Sequence, residues 1–248
     1  MEDDNVIQNI ISAISPQAGQ KMVEIGPGLG ALTRYLLPAL KRLDVIELDR
    51  DLAARLPNTL AGLGELHLHQ ADALHFDFSQ LITDEQKLRV VGNLPYNIST
   101  PLIFHLLSHS DSISDMAFML QKEVVDRLGA EPDTADYGRL SVMVQYRCQV
   151  DWLLGVPPEA FNPAPKVQSA VVKLTPWQKS PYNCDNEALL QRVVSTAFNQ
   201  RRKTLRNCLK GLAEELDFEA VGISPSLRAE VLSVQQFVQL TNQLNSHV

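Results

Sequence analysis

Short apolar runs alternate with amphipathic segments along most of the chain. Apolar residues recur at helical spacing near the amino terminus and predict a first helix over residues 4–14. Buried strands are predicted at residues 22–25, 43–49, 65–69, 88–91 and 116–120. Helices are predicted after them at residues 31–40, 51–60, 98–107 and 122–128. Strands that alternate with helices in this way predict an α/β fold built on a parallel sheet.

The pattern changes after residue 128. Residues 129–137 mix Gly, Pro, Asp and Thr and predict a mobile loop. A helix is then predicted from residue 138 to about residue 148, and residues 151–156 and 167–175 are strand candidates for an antiparallel pair that closes the sheet. Beyond the linker at 176–185 only helical spacing remains. We therefore expect one domain over residues 1–181 and a small all-α domain over residues 182–248.

Composition fits an ordinary globular protein of 248 residues, 45% hydrophobic and 21% charged. The acidic start, Met1 to Asp4, is unlike a secretory leader, and no apolar run is long enough to span a bilayer. The three cysteines and the histidines show no metal-ligand spacing. We expect a cytoplasmic protein that binds neither a metal nor a membrane.

Candidate chemistry collects where the predicted strands end. Gly26 and Gly28 belong to a GxGxG turn between the first strand and the first following helix, where a ligand can approach the backbone closely. A tight connection without a ligand is the alternative. Glu47 follows Gly26 by 21 positions, close to the spacing at which an acid reaches a ribose diol. Asp49 is better explained as the N-cap of the next helix.

Two later strand ends add further polar groups. Asp72 follows the third strand, where its carboxylate can accept a hydrogen bond from an adenine amine. Asn93 follows the fourth strand in the turn Gly92-Asn93-Leu94-Pro95-Tyr96-Asn97. Pro95 lacks an N–H and pushes the residue before it towards an extended conformation, which leaves the Leu94 carbonyl free. This turn offers two acceptors and an aromatic face, although Asn and Pro are also common in ordinary turns.

The turn resembles the NLPY motif of ribosomal RNA adenine N6,N6-dimethyltransferases. The segments YGRLS (137–141), FNPAPKVQSAVV (161–172) and FNQRRKTLRN (198–207) are also similar to that family, and the likeness runs from about residue 5 to residue 240. The chain is identified from these motifs as a member of the bacterial small-subunit (16S) branch of the family. The resemblance implies a Rossmann-like S-adenosylmethionine-dependent methyltransferase domain and a helical rRNA-binding domain. It also implies dimethylation of two adjacent adenines in the hairpin near the 3′ end of 16S rRNA.

Site residues follow from the same resemblance. It implies that Gly26, Gly28, Glu47, Asp72 and Asn93 bind S-adenosylmethionine, and that Asn93, Leu94, Tyr96 and Phe161 hold the target adenine. Phe161 is expected to stack on that base opposite Tyr96, which is worth roughly 1–3 kcal/mol for one base. Burial of Phe161 beneath its proline-rich loop is the alternative.

The net charge of -7 is unevenly distributed. Residues 1–90 carry a net charge of -5, whereas residues 191–210 contain no acid. Such a local cluster can contact phosphates in an acidic protein, although a basic helix face is often only solvated. The residues expected to contact 16S rRNA, within the small ribosomal subunit or its precursor, are Lys166, Arg201, Arg202, Lys203 and Arg206. We expect a monomer.

One departure from the family concerns the amino terminus. The family normally carries a basic segment with an FGQNFL-type motif before the first helix, and the sequence here begins at Met1 without it. We therefore expect weakened cofactor affinity for the chain as written. Three other functions stay open at this point: methylation of large-subunit rRNA, methylation of DNA adenine, and binding as a ribosome-assembly factor.

Overall fold

The computed structural model describes residues 1, 3–82, 85–95, 97–212 and 216–245. The chain divides into two compact units. The first unit comprises Met1–Val125 and Val150–Pro176, and the second comprises Asp126–Gln149 and Trp177–Val248. None of the described helices combines the length and the apolar character needed to cross a lipid bilayer.

A seven-stranded sheet organises the first unit. The strands are β1 (Met22–Ile25), β2 (Arg42–Glu47), β3 (Glu65–Gln70), β4 (Leu88–Asn93), β5 (Ile113–Gln121), β6 (Cys148–Val156) and β7 (Ser169–Pro176). Their order across the sheet is β3-β2-β1-β4-β5-β7-β6. Strands β1 to β5 pair in parallel, and β7 pairs antiparallel to β5. The expected α/β fold is confirmed.

Nine α-helices lie in the described residues. They are α1 (Asp4–Ile14), α2 (Thr33–Leu40), α3 (Arg50–Thr59), α4 (Ser99–Leu107), α5 (Lys122–Leu128), α6 (Arg139–Arg147), α7 (Glu187–Asn199), α8 (Leu205–Cys208) and α9 (Val234–Asn245). Short 3₁₀ turns occur at Phe78–Leu81, Ser110–Ser112, Pro158–Ala160 and Ala229–Val231.

Helix α1 shows why the apolar spacing predicts structure. Ile7, Ile10 and Ile14 are buried on one face, in a core shared with α2 and the sheet strands. Burying each such side chain contributes about 1.5–3 kcal/mol. The side chain of Asp3 caps the helix by accepting from the N–H groups of Asn5 and Val6.

The division into units differs from the predicted boundary after residue 181. Residues 126–149 belong with the C-terminal helices rather than with the sheet. The reason is packing: α6 lies against α7 and α9, and the hydroxyl of Tyr146 donates to the Glu187 carboxylate over 2.8 Å. Sequence spacing alone separates these segments, because the strands β6 and β7 are inserted between them.

The segment 129–137 was expected to be a mobile loop, and the structure shows it anchored within the second unit. Tyr137 is fully buried, and its hydroxyl donates to the carbonyl of Leu232 over 2.7 Å. The N–H of Asp133 donates to the carbonyl of Glu230 over 2.8 Å. A loop composition predicts the lack of a helix or strand here, but it does not predict these attachments.

Candidate active site

Four parallel strands end side by side at one edge of the sheet. Strands β3, β2, β1 and β4 are neighbours in that order, so their carboxyl ends present Asp72, Glu47, the glycine turn and Asn93 along the same edge. The order of strands reverses between β1 and β4. Ligands of open α/β sheets bind in the crevice at such a reversal.

The glycine turn after β1 leaves open space above its backbone. Gly26 and Gly28 have φ angles of 65° and 58°, which L side chains rarely adopt. A Cβ atom added at either residue would meet no atom within 4 Å. The turn therefore combines a backbone that requires glycine with room for a ligand against that backbone.

Glu47 joins this turn to the end of β2. Its side chain is almost completely buried, and its Oε2 accepts from the N–H of Gly28 over 3.1 Å. Its Oε1 accepts from the N–H of Asp49 over 2.9 Å. Two bonds fix the plane of a carboxylate whose oxygens keep further lone pairs for a ligand. The N-cap role predicted for Asp49 is confirmed, because its side chain accepts from the N–H groups at the start of α3.

Sequence reasoning missed Glu24, which reads as one position of an apolar strand. Glu24 is 2% exposed, and its Oε2 accepts from the hydroxyl of Thr33 over 2.7 Å. Burial raises the pKa of Glu24 from 4.5 to about 7; the Thr33 bond opposes that rise and the nearby charge of Glu47 adds to it. A buried acid thus ties β1 to the first turn of α2, the two elements that flank the glycine turn.

Asp72 is held by the turn that follows β3. Its Oδ1 accepts from the N–H of Leu74 over 2.9 Å, and its Oδ2 lies 2.9 Å from Nδ1 of His75. The backbone bond, with a contribution from His75, lowers the pKa of Asp72. The carboxylate is therefore ionised at neutral pH and can accept a hydrogen bond from a ligand.

Strand β4 extends to Asn93, two residues further than predicted, and this places Asn93 at the sheet edge. Gly92 makes the extension possible, because a Cβ at this position would lie 2.7 Å from the carbonyl oxygen of Ile25. The N–H of Leu94 donates to the carbonyl of Met119 over 3.2 Å. Among the described residues, no backbone N–H donates to the carbonyl of Leu94. Tyr96 lies outside the described residues.

A cavity of about 630 Å³ opens beside the end of β4. It is lined by Asn93, Leu94, Pro95, Asn97, Phe161, Pro163 and Pro165. Phe161 comes from the loop between β6 and β7, so two segments distant in sequence meet at one cavity. The Phe161 ring also packs against the core of the first unit. It therefore has features of both interpretations, the stacking surface and the buried loop anchor.

The chain matches a family model described as "Ribosomal RNA adenine dimethylase" over residues 1–246. The chain belongs to this family. A Pseudomonas aeruginosa protein named "Ribosomal RNA small subunit methyltransferase A" is 57% identical over 98% of this chain and 91% of its own length. A protein of the same name from Saccharophagus degradans is 56% identical with the same coverage.

Solved structures support the fold of this dimethylase-family chain. A dimethyladenosine transferase from Plasmodium falciparum superposes with a TM-score of 0.81, covering 99% of this chain and 97% of that one. Its sequence identity is 24%, so the likeness concerns architecture alone. The two proteins thus share one architecture over nearly the whole length of both chains.

The basic residues of this dimethylase-family chain differ in how they are held. Arg201 is engaged within the second unit: its Nε donates to Glu230 over 2.8 Å, and its Nη2 donates to the carbonyl of Ala135 over 2.6 Å. Arg202, Lys203 and Arg206 are exposed, and no carboxylate among the described residues forms an ion pair with them. These three residues, which we name the basic cluster, are the ones available to phosphate.

Two further basic residues, Arg228 of the second unit and Lys166 of the first, are also exposed. Arg228 forms an isolated antiparallel β-bridge with Thr204, and its side chain is 56% exposed. No sequence motif indicated this residue. Lys166 is exposed in the loop of the first unit that carries Phe161. It does not line the cavity that Phe161 shares with Asn93.

His69 and His105 of this family member have structural partners, and Cys148 is buried. Within the described ranges, no group of three or more His, Cys, Asp or Glu side chains is arranged to hold a metal ion. His69 lies 2.8 Å from Asp44, and His105 lies 2.8 Å from the carbonyl of Phe76. Burial raises the pKa of Cys148 to about 12, so this thiol is not an activated nucleophile.

Proposed function

We propose that the protein transfers methyl groups from S-adenosylmethionine to the N6 amines of two adjacent adenines in the 3′-terminal hairpin of 16S rRNA. One observation carries the proposal: the acceptors of Asn93 and Leu94 share a cavity with Phe161, next to the glycine turn and Glu47. Family membership and the names of the relatives support the same reaction.

The residues at the edge of the sheet fit S-adenosylmethionine. Gly26 and Gly28 leave room for the ligand against the backbone, where a side chain at either position would project. Glu47 is oriented by two backbone N–H groups and can accept from the 2′- and 3′-hydroxyls of the ribose. The ionised Asp72 suits the adenine amine of the cofactor. Bound there, the cofactor supplies a methyl group made electrophilic by a positively charged sulfur.

In the proposed mechanism, Asn93 and Leu94 act on the target amine. The lone pair of that amine is delocalised into the adenine ring, which makes it a poor nucleophile. In the first transfer, the side-chain carbonyl of Asn93 and the backbone carbonyl of Leu94 accept hydrogen bonds from its two N–H groups and favour a tetrahedral nitrogen whose lone pair faces the methyl group. In the second transfer, the monomethylated amine has one N–H left to donate to these carbonyls. The alkylated amine is acidic enough to lose its proton to solvent. Positioning and electrostatics therefore supply most of the acceleration.

The base itself is held by stacking in this proposal. Phe161 offers a ring at the wall of the cavity that contains Asn93. On the basis of the NLPY motif, Tyr96 is assigned to the other face of the base, opposite Phe161. Extrusion of a base from its stack costs a few kcal/mol, and two aromatic faces offset that cost.

The second unit is proposed to bind rRNA through the basic cluster. Three exposed cations that form no ion pair with a carboxylate of the described residues suit phosphate groups, and Lys166 on the first unit supplies a further contact. Arg201 contributes chiefly by holding the segment at 134–135. The acidic balance of the remainder limits non-specific binding to nucleic acid. We propose that the protein acts as a monomer in the cytoplasm.

The test uses small ribosomal subunits from a strain that lacks this methylation. The protein and labelled S-adenosylmethionine are incubated with the subunits, and the modified nucleotides are located by mass spectrometry. We expect N6,N6-dimethyladenosine at two neighbouring adenines of the 3′-terminal hairpin. The matched control is Asn93→Ala, which we expect to bind the subunits and to transfer methyl groups about 10²–10³-fold more slowly.

Two results would contradict the proposal. Transfer to large-subunit rRNA in a parallel incubation, with none to small subunits, would reassign the substrate. Binding of the wild-type protein to small subunits without any transfer would favour a role as an assembly factor.

A further inference from the structure

Trp152 is a large aromatic residue on the surface of the first unit. It lies on β6, the strand at the end of the sheet, and it is 58% exposed. A single exposed apolar side chain needs no explanation. Trp152 is different because its ring forms part of a cavity.

This cavity, which we name the Trp152 pocket, has a volume of about 320 Å³. Its lining residues are Lys122, Trp152, Gly155, Val156, Pro157, Gln168, Ser169 and Ala170. Apolar walls combined with a few polar groups are typical of a ligand site, and this volume lies at the lower end of the usual range. None of the described lining residues is acidic.

The Trp152 pocket lies at the same edge of the sheet as Asn93. Along β5, Met119 pairs with Asn93 on one side, and Gln121 pairs with Ser169 on the other. Because neighbouring strands lie about 4.8 Å apart, β4 and β7 are separated by roughly 10 Å. The pocket is therefore close to the cavity proposed for the target adenine.

One loop joins the two cavities. Residues 157–168 connect β6 to β7, and the ends of this loop, Pro157 and Gln168, line the Trp152 pocket. The middle of the loop supplies Phe161, Pro163 and Pro165 to the cavity with Asn93. The N–H of Lys122 donates to the carbonyl of Gln168 over 2.9 Å, which fixes one end of the loop to the strand ends.

We propose that the Trp152 pocket binds an RNA nucleotide close to the target adenine in the substrate strand, with its base stacked on Trp152. The indole offers a flat face to any base, and the side-chain amide of Gln168 offers a donor and an acceptor to the base edge. Lys122 in the pocket and Lys166 on the loop are cations suited to the flanking phosphates.

The inference rests on the proposed function, because that function makes the bound strand an RNA substrate. It adds a contact between Trp152 and a second nucleotide, apart from the target adenine. Its consequence is that the enzyme holds the substrate strand at two points of the first unit. A strand held on both sides of the loop at 157–168 presents its adenine in a fixed orientation.

Fluorescence tests the contact directly, because the chain contains only two tryptophans. Trp177→Phe leaves Trp152 as the sole indole, and the variant is titrated with a short single-stranded RNA containing two adjacent adenines. We expect the emission to be quenched on binding, since a stacked base lies against the ring. Inorganic polyphosphate, which has charge and no bases, should cause no quenching. Unchanged emission at saturating RNA would overturn the proposal.

Substitutions of Trp152 give a second test. Two different variants are compared, so the test remains informative if one of them is unstable. Stacking of one base changes affinity by roughly 5- to 150-fold, so Trp152→Ala should weaken RNA binding within that range. Trp152→Phe should stay within about threefold of the wild type, because a phenyl ring still offers a stacking face. In methyl transfer, the Ala variant should raise KM more than it lowers kcat. Equal RNA affinity of the Ala and wild-type proteins would overturn the proposal.

These experiments distinguish a failure of the proposed function from a failure of the Trp152 proposal. If the wild type transfers no methyl group, the proposed function fails, whereas quenching by RNA still reports on the pocket. If Trp152→Ala weakens binding to intact small subunits while leaving binding to naked RNA unchanged, the pocket contacts a ribosomal protein and the nucleotide assignment is overturned.

Discussion

The buried acids Glu24 and Glu47 of the first unit and the basic cluster of the second unit are ionisable groups held in opposite ways. Glu24 and Glu47 are buried, and each accepts hydrogen bonds that fix its position. Arg202, Lys203 and Arg206 project into solvent, and the part of the chain that the structure describes gives them no carboxylate partner. The first set is rigid before any ligand arrives, whereas the second can adjust.

This difference suits two kinds of ligand. A small molecule that must react at one atom needs acceptors fixed to within a fraction of an ångström. A polyanion is attracted by charge over about a Debye length, and its phosphates tolerate many arrangements of flexible cations. Substitutions at the sheet edge should therefore change rates steeply, and substitutions in the basic cluster should change affinity gradually.

The largest effect is expected for Asn93→Ala. Loss of one preorganised group at the reacting centre typically costs about 10²–10³-fold in rate, and we expect a decrease of that size in single-turnover methyl transfer. The exposed side chain at the end of β4 contributes little to packing, so the thermal unfolding midpoint should be unchanged. Asn93→Asp keeps an acceptor of the same size and should retain more activity. Equal rates for Asn93→Ala and the wild type would remove Asn93 from the mechanism.

A pH-dependent stability is expected from Glu24. Its pKa rises from 4.5 in the unfolded chain to about 7 in the native protein, chiefly because of burial. Between these values the native state binds a proton that the unfolded state has lost. Stability therefore falls as pH rises from about 4.5 to about 7, by roughly 3 kcal/mol in total, and levels off above that range.

Glu24→Gln tests this, because an amide of the same shape cannot ionise. Unfolding of both proteins by denaturant is measured at pH 5 and pH 8. The variant should lose less stability than the wild type between these two conditions. An identical pH dependence in the two proteins would show that Glu24 keeps an ordinary pKa.

A smaller effect is expected for Phe161→Leu, which retains bulk against the core and removes the flat ring. Loss of stacking should lower kcat/KM for rRNA by roughly 5- to 150-fold, while binding of S-adenosylmethionine is unchanged. Phe161→Tyr is the matched control and should remain close to the wild type. If Leu and Tyr behave alike, the ring serves the core and does not contact the base.

The smallest effects are expected for the adjacent residues Arg201 and Arg202, whose substitutions should change different properties. Arg202→Ala should weaken RNA binding and reduce the slope of log K against log salt by about 1, with no change in thermal stability. Arg201→Ala removes the bonds to Glu230 and Ala135 and should lower the thermal unfolding midpoint instead. The reverse pattern would assign the phosphate contact to Arg201.

The sequence predicts much of the fold because local spacing decides it. The predicted bounds of β1 and α5 match those observed, since β1 lies between Gly19 and Gly26 and α5 ends before Gly129. The Asp49 cap follows from its position before a helix. Strand order and register are long-range properties, and one residue pattern is compatible with several of them.

The site is predictable where a motif carries it and not where burial creates it. NLPY and the glycine turn indicate Asn93 and Gly26 without a structure. Glu24 lies in an apolar run, and only the fold reveals the Thr33 bond and the shared burial with Glu47. The sequence also treats Arg201 and Arg202 alike, because the partner of Arg201, Glu230, is 29 positions away.

The interrupted second unit has a consequence for synthesis of the protein. Helix α6 leaves the ribosome about 100 residues before α9, with which it packs. At the usual 5–20 residues per second, the nascent helix waits roughly 5 to 20 s for that partner. During this time the buried face of α6, including Val142 and Val144, can pack against α7, which is made about 40 residues after α6, but not yet against α9. The last helix to be made therefore completes a structure begun in the middle of the chain.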